Sequence, residues 1–333
     1  MMDIGKLSNE LLQKIILDKI ENKRPESVLK PGIGEDACVL DLDGELCVLS
    51  SDPITGAVQD IGSIAVHVSL NDIAASGAVP IGIITTILLP PGSQEKELEA
   101  LFHQISRTCK EMGVEILGGH TEVTDAVNRV VVATTAVGKV KKGKMVSTGN
   151  AQSGDSILIT KDAATEGTAI LAGDHWEELE GAFGKDFVKR AQSLIQSISV
   201  VREGIIGTEA GVHAMHDVTE GGVLGAVWEM CTASGKGCII EEKSIPLAEE
   251  TLRICAHFGI DPLKLISSGS MLMSISPCNE PILARALADA KIPCRRIGVI
   301  TESGGCLIRK AEGLQRITPP ESDELYKVRR KGT

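Results

Sequence analysis

The chain has 333 residues, which suggests two domains at the usual ~100–200 residues each. Its 45 acidic and 34 basic side chains leave a net charge of −11, and only 2 Trp, 1 Tyr and 4 Phe are present. Such a chain is ill-suited to non-specific nucleic-acid binding, which needs basic patches and stacking rings. At 43% hydrophobic and 24% charged residues, it has the composition of a soluble globular protein.

The first residues, Met1-Met2-Asp3-Ile4-Gly5-Lys6, lack the basic-then-apolar profile of a signal peptide. Residues 8–20 are expected to form a short amphipathic helix capped by Ser8, with Leu11, Leu12, Ile15, Ile16 and Ile20 on one face. Residues 37–42 and 46–51 read as strands around a turn at Asp43-Gly44. Small and apolar residues throughout 61–76 predict a buried helix, and Pro80 to Leu89 a buried strand stopped by Pro90-Pro91-Gly92. That stretch is too short and too interrupted to cross a bilayer. Residues 93–112 form the clearest amphipathic helix, with Ser93 as its N-cap and Gly113 ending it. Strands are expected at 114–117 and 127–140. The polar, glycine-containing segment 141–153 divides the chain into domains 1–150 and 151–333.

The second half predicts strands at 156–160, 212–216, 237–241, 270–276, 294–300 and 305–309. Helices are expected around 165–172, 186–210, 222–234, 247–258 and 280–290. The order is not a strict βαβ repeat, which favours an α+β architecture. Residues 327–331, Lys-Val-Arg-Arg-Lys, read as a solvated tail. The nine cysteines contain no C-x-x-C pair, which argues against a zinc ribbon and for reduced thiols in the cytoplasm packed as small hydrophobes, Cys38 among them.

Three acidic spots fall at turns, strand ends or inside the apolar helix. They are Asp36 in Gly34-Glu35-Asp36-Ala37, Asp52 in Ser51-Asp52-Pro53, and Asp72 in Ser69-Leu70-Asn71-Asp72. A carboxylate in a buried apolar helix is costly unless paired or bound to a cation. Crowded carboxylates repel, and a hard divalent cation such as Mg²⁺ relieves this. The alternatives are turn roles for Asp36 and Asp52 and an arginine partner for Asp72. Two glycine-rich junctions, Gly118-Gly119-His120-Thr121 and Gly221-Gly222, are of the kind that presents backbone amides to phosphates. Neither is a Walker A loop nor a G-x-G-x-x-G fingerprint.

These segments together resemble the AIR-synthase (PurM-like) superfamily. Gly34-Glu35-Asp36-Ala37-Cys38-Val39 resembles its G-D-D-A-A-V motif and Ser51-Asp52 its T-D motif. Asn71-Asp72-Ile73-Ala74-Ala75-Ser76-Gly77-Ala78-Val79-Pro80 is close to N-D-[IL]-A-x-x-G-A-x-P, the most specific piece. Gly118-Gly119-His120-Thr121 matches G-G-[DEHN]-[TS], and Asp217-Val218-Thr219-Glu220-Gly221-Gly222 matches D-x-[ST]-x-G-[GL]. The resemblance implies two α+β domains, with N-terminal sheets pairing into a dimeric barrel. It implies ATP in the cleft, with Asp36, Asp52 and Asp72 holding Mg²⁺ on the phosphates. Gly34, Asn71, Gly118, Gly119, His120, Thr121, Gly221 and Gly222 would line the nucleotide. Asp36 and Asp217 would be catalytic, Asp217 facing the second substrate or a metal.

Within the superfamily, Asp52-Pro53-Ile54-Thr55-Gly56 departs from thiamine-monophosphate kinases, and D-G-V-G-T-K of the cyclo-ligases is missing. No cysteine precedes Cys38, unlike selenophosphate synthetases. The nearest match is the hydrogenase-maturation type, which dehydrates a carboxamide on its C-terminal cysteine. This chain's last cysteine is Cys306, and His120 stands where Asp is usual. The acceptor would therefore be a small molecule or a group on a partner maturation protein. A small-molecule kinase or a non-catalytic nucleotide-binding partner are the alternatives.

Overall fold

The structure, a computed structural model, describes residues 8–20, 25–29, 32–54, 60–303, 305–320 and 322–331. The expectations for the first six residues and for Thr55-Gly56 fall outside these. In chain order the first half contains α1 (Asn9–Ile15), β1 (Ser27–Leu29), β2 (Cys38–Asp41), β3 (Leu46–Ile54) and α2 (Ile61–Ala75). It continues with β4 (Val79–Leu89), α3 (Glu95–Met112), β5 (Glu115–Val123) and β6 (Val131–Val140). The six strands lie in the order β1-β2-β3-β6-β4-β5, with β4 and β5 parallel. β2 and β3 make the expected hairpin, and Asp43 takes the left-handed turn conformation at φ 62°.

α2 and α3 pack on one face of this sheet. Strand periodicity therefore buries alternate residues, and it corrects two expectations. β4 is buried on one side only: Ile83, Ile87 and Leu89 face the helices, while Ile84 is 44% exposed on the other side. Cys38, expected in the core, is exposed because its neighbour Val39 takes the inward position. α3 begins with a capping box between Gln94 and Glu97 rather than at Ser93, whose hydroxyl donates to the Pro90 carbonyl. α1 is capped by Ser8 as expected, but Leu11, Ile15, Ile16 and Ile20 of the 8–20 segment are exposed.

The second half contains β7 (Ser156–Thr160), α4 (Thr165–Asp174), α5 (Trp176–Phe183), α6 (Lys185–Ser193) and α7 (Val201–Ala210). Then come β8 (Ala214–Asp217), α8 (Gly222–Ser234), β9 (Gly237–Glu241), α9 (Glu249–Phe258) and β10 (Met271–Ile275). The last elements are α10 (Glu280–Asp289), β11 (Cys294–Thr301), β12 (Cys306–Lys310), β13 (Gly313–Arg316) and α11 (Glu324–Lys331). Seven strands order as β13-β12-β9-β11-β7-β10-β8. The mixed strand and helix order in both halves makes the fold α+β. The tail expected in solvent is instead α11, whose Leu325 and Val328 are buried in a cluster with α4, α6 and α9 residues. The 186–210 helix is interrupted before α7: Lys161 Nζ donates to the carbonyls of Ser197 (2.8 Å) and Ser199 (2.6 Å) there.

α2 is the element common to both halves. It lies between the first sheet and α7, and glycines set the approach on each side. A Cβ at Gly138 of β6 would meet Ile73 at 2.2 Å, and one at Gly204 of α7 would meet the Ala74 carbonyl at 2.4 Å. The connecting segment 141–153 is packed rather than free. Val146 and Thr148 are buried, and the Thr148 hydroxyl donates to Met215 O at 2.8 Å.

Glu166, in the first turn of α4, is buried, and its Oε2 has no hydrogen-bond partner. Burial pushes its carboxyl up from 4.5 to about 7. Between those values the folded chain keeps a proton that the unfolded chain has lost. Its contribution is therefore full below 4.5 and declines as pH rises to about 7. Glu166→Gln should unfold like the parent near pH ~5 and be more stable by a few kcal/mol near pH ~8, as read by denaturant unfolding.

Candidate active site

The carboxylates converge where α2 passes beneath β3 and meets the end of β8. Ser50 and Asp52 share the inward face of β3, two residues apart. The Ser50 hydroxyl lies 2.5 Å from Asp72 Oδ2 and 3.2 Å from Asp52 Oδ2. Asp72 therefore meets a serine and other carboxylates, which disposes of an arginine partner. Asp217 enters from the second half. Both its carboxyl oxygens are buried and lack a hydrogen-bond partner, and Asp36, Asp52 and Asp72 are near enough to act on it.

The electrostatics follow from this crowding. Burial, then Asp217 and Asp52, raise Asp72 well above the ordinary carboxylate range. Burial, then Asp36, push Asp217 up to about 8. Carboxylates placed this way either hold protons or share a cation. The orphaned oxygens of Asp217 and the all-oxygen set of Asp36, Asp52, Asp72 and Asp217 fit a hard divalent cation such as Mg²⁺.

His216, adjacent in sequence, does not serve as a free ligand. Its Nδ1 is 2.8 Å from Asp36 and its Nε2 is 3.0 Å from Glu229 of α8. Burial alone would lower its pKa, but Asp36 and Glu229 outweigh this and raise it well above the usual value. The imidazolium thus donates to both carboxylates, orients Asp36 and offsets part of the negative charge. The Glu35 carboxylate takes the Ser147 hydroxyl at 2.6 Å, tying the Asp36 loop to the connecting segment. Sequence reasoning assigned no role to Glu229 or Glu35. Glu229 is the only charged residue of α8, and that isolation was its one visible signal.

Other expected residues lie elsewhere or are engaged. Asn71, expected beside the nucleotide, clamps the halves together. Its Nδ2 donates to Ile198 O at 2.9 Å, and its Oδ1 accepts from Val200 N at 2.8 Å. Gly118, Gly119, His120 and Thr121 form no junction. β5 continues through them as an exposed edge strand, with a register shift against β4 between Ile116 and Gly118, and His120 pairs with Glu122 at 3.1 Å. At Gly221 and Gly222 the amides are already taken, by Asp323 Oδ2 (2.8 Å) and Thr219 O (3.1 Å). Gly34 packs against the Glu229 backbone, beside the His216 network.

The chain matches the AIR synthase related protein N-terminal domain over residues 34–140 and the C-terminal domain over 152–309. It belongs to the AIR synthase related family. Among its relatives, a protein of Methanocaldococcus jannaschii named for hydrogenase expression/formation is 29% identical over 340 residues, covering 97% of each chain. The carbamoyl dehydratase HypE of Cupriavidus necator is 26% identical over 309 residues, 90% of this chain and 84% of that one. In fold, the chain is similar to a structure of the HypE–HypF complex, with a TM-score of 0.77 at 23% identity over 93% of this chain and 99% of that one. HypE in complex with ATP (TM-score 0.69, 23% identity, 97% and 98% covered) shares the fold. So does ThiL complexed with AMPPCP and TMP (0.75, 17%, 96% and 99%).

Asn71→Ala should cost about 2–4 kcal/mol in denaturant unfolding, because a buried amide and carbonyl of the second half lose their partners. Its affinity for Mg·ATP should stay at the parental value. Lost affinity with unchanged stability would return Asn71 to the nucleotide.

Proposed function

We propose that this chain is a cytoplasmic, ATP-consuming enzyme of the hydrogenase-maturation type, which phosphorylates a carboxamide or similar oxygen to drive dehydration. The observation that carries this is the convergence of Asp36, Asp52, Asp72 and Asp217 from two halves, with the Asp217 oxygens unpartnered. The HypE relatives and the ATP-bound HypE of the same fold support it.

In this reading Asp36, Asp52 and Asp72 hold Mg²⁺, with Asp217 facing it from the second half. Bound there, the ion neutralises phosphoryl charge during transfer. Asp36 and Asp217 are the catalytic carboxylates. His216 is a positioning residue that keeps Asp36 ionised and aimed. The γ-phosphoryl group passes to the amide oxygen, releasing ADP. The phosphorylated oxygen then departs as phosphate while nitrogen loses its protons, leaving a nitrile. The net change is loss of water from the amide, driven by ATP hydrolysis. The acceptor is a small molecule or a group on a partner protein, the latter supported by the HypE–HypF complex.

Thermal unfolding tests the site. Mg·ATP at ~100 times its dissociation constant should stabilise by about 2.7 kcal/mol and raise the midpoint by several degrees. EDTA should remove the rise, and Asp36→Asn or Asp72→Asn should abolish it. Asp217→Asn should raise the midpoint of the metal-free protein, since burial makes Asp217 take up a proton or carry a charge on folding, a cost that Asn does not meet. A rise that survives EDTA and both variants would sink the metal roles. ADP release dependent on Asp36 would exclude a non-catalytic nucleotide binder.

We further propose a homodimer through the helix-free face of the first sheet. Val79, Ile81 and Ile84 of β4 and Leu117 and Val123 of β5 are 39–61% exposed there or along the adjoining edge. Ile84→Glu should turn a dimer into a monomer in sedimentation velocity, while the parent stays dimeric. A parent that sediments as a monomer would refute the dimer.

A further inference from the structure

Three cysteines that no local spacing connects meet in the second half. Cys238 of β9 and Cys306 of β12 are register partners in a parallel pair, and Cys231 reaches them from the last turns of α8. Their Sγ atoms all lie within 4.8 Å of one another. The three are 2%, 0% and 7% exposed, and none forms a disulfide.

We propose that Cys231, Cys238 and Cys306 form a binding site for one soft, thiophilic cation, Zn²⁺ or Cu⁺. Metal–sulfur bonds of about 2.3 Å put three trigonal ligands ~4 Å apart, so these thiols need only small rotations to close on an ion. The donor set is sulfur alone, which selects Zn²⁺ or Cu⁺ over the hard cation suited to the aspartates. A pocket of ≈ 520 Å³ is lined by Cys231 and Cys306 and gives both an entry path and an open coordination position. Arg316 and Lys236 line the same pocket. Three thiolates around Zn²⁺ leave a net charge of −1, which Arg316 in the same pocket would offset, whereas Lys236 is already paired with Glu302 at 2.9 Å. A purely hydrophobic role for three buried thiols does not explain the pocket that opens beside them. The site is separate from the aspartate cluster and does not depend on the proposed activity.

The test uses the full-length, reduced protein, stripped of metal under anaerobic conditions and titrated with Co²⁺, Zn²⁺ and Cu⁺. The expected result is one cation per chain. Co²⁺ should show thiolate charge-transfer absorption that Zn²⁺ displaces. Cys306→Ser should weaken binding more than ~100-fold, beyond the loss typical of an outer-shell change. Cys278→Ser, an exposed thiol outside the cluster, should bind like the parent. No cation with charge-transfer absorption, or equal affinity in Cys306→Ser, would overturn the site. A Cys238–Cys306 disulfide with no metal binding after reduction would overturn it too. Should Cys306→Ser fail to fold, the parent decides. Metal should slow alkylation of Cys306 by iodoacetamide ~tenfold or more, and an unchanged rate rejects the proposal.

Discussion

The structure turns on a charge that has nowhere to go. Asp72 sits in a helix buried on nearly every side, and its neighbours are a serine and further carboxylates. A buried carboxylate is tolerated only when a proton, a cation or hydrogen bonds compensate it. Here Ser50 donates to Asp72, and crowding with Asp217 and Asp52 holds both Asp72 and Asp217 above the ordinary carboxylate range. Such crowding destabilises the folded chain, and a divalent cation bound between the halves would relieve it. Any cation bound there would add its binding free energy to the stability of the fold.

The packing that creates the problem also positions its solution. α2 can lie this close to the sheet and to α7 because Gly138 and Gly204 present no side chains. The same approach lets Asn71 take both an amide and a carbonyl from the 198–200 segment. One face of α2 therefore clamps the second half, and the next residue delivers the carboxylate. From the other side, Glu229 and Asp36 hold His216 as a cation beside Asp217. Charges of both signs, held by elements far apart in sequence, fix Asp36 within a small space.

α8 serves two clusters. Glu229 faces the histidine, and Cys231 faces β9 and β12. Residues two apart on a helix point about 200° apart, so one helix can build an oxygen-rich site on one side and a sulfur-rich site on the other. The two donor sets differ in hardness, so they would favour different ions.

Much of this was legible in the sequence. The Asn71–Pro80 motif, the hairpin at Asp43-Gly44, the burial of 61–76 and most strands could be read from local pattern, because small residues, turn residues and periodicity act over a few positions. Asp36, Asp52 and Asp72 were recognisable because an acid among apolar or glycine-rich neighbours needs a reason, and Asp217 only through the motif the chain shares with its family. What a side chain finally touches was not legible. Nothing around Asn71 showed that it bonds the backbone at Ile198 and Val200. The glycines at 118–119 looked like a junction and extend a strand. The basic tail looked solvated and docks through Leu325 and Val328. Glu229 gained its meaning only from a histidine thirteen residues away, and the cysteines gained theirs from strand register. Local pattern determines which elements form and which residues are anomalous. Partner identity depends on long-range packing, where burial and electrostatics among distant segments choose between a ligand, a cap and a clamp.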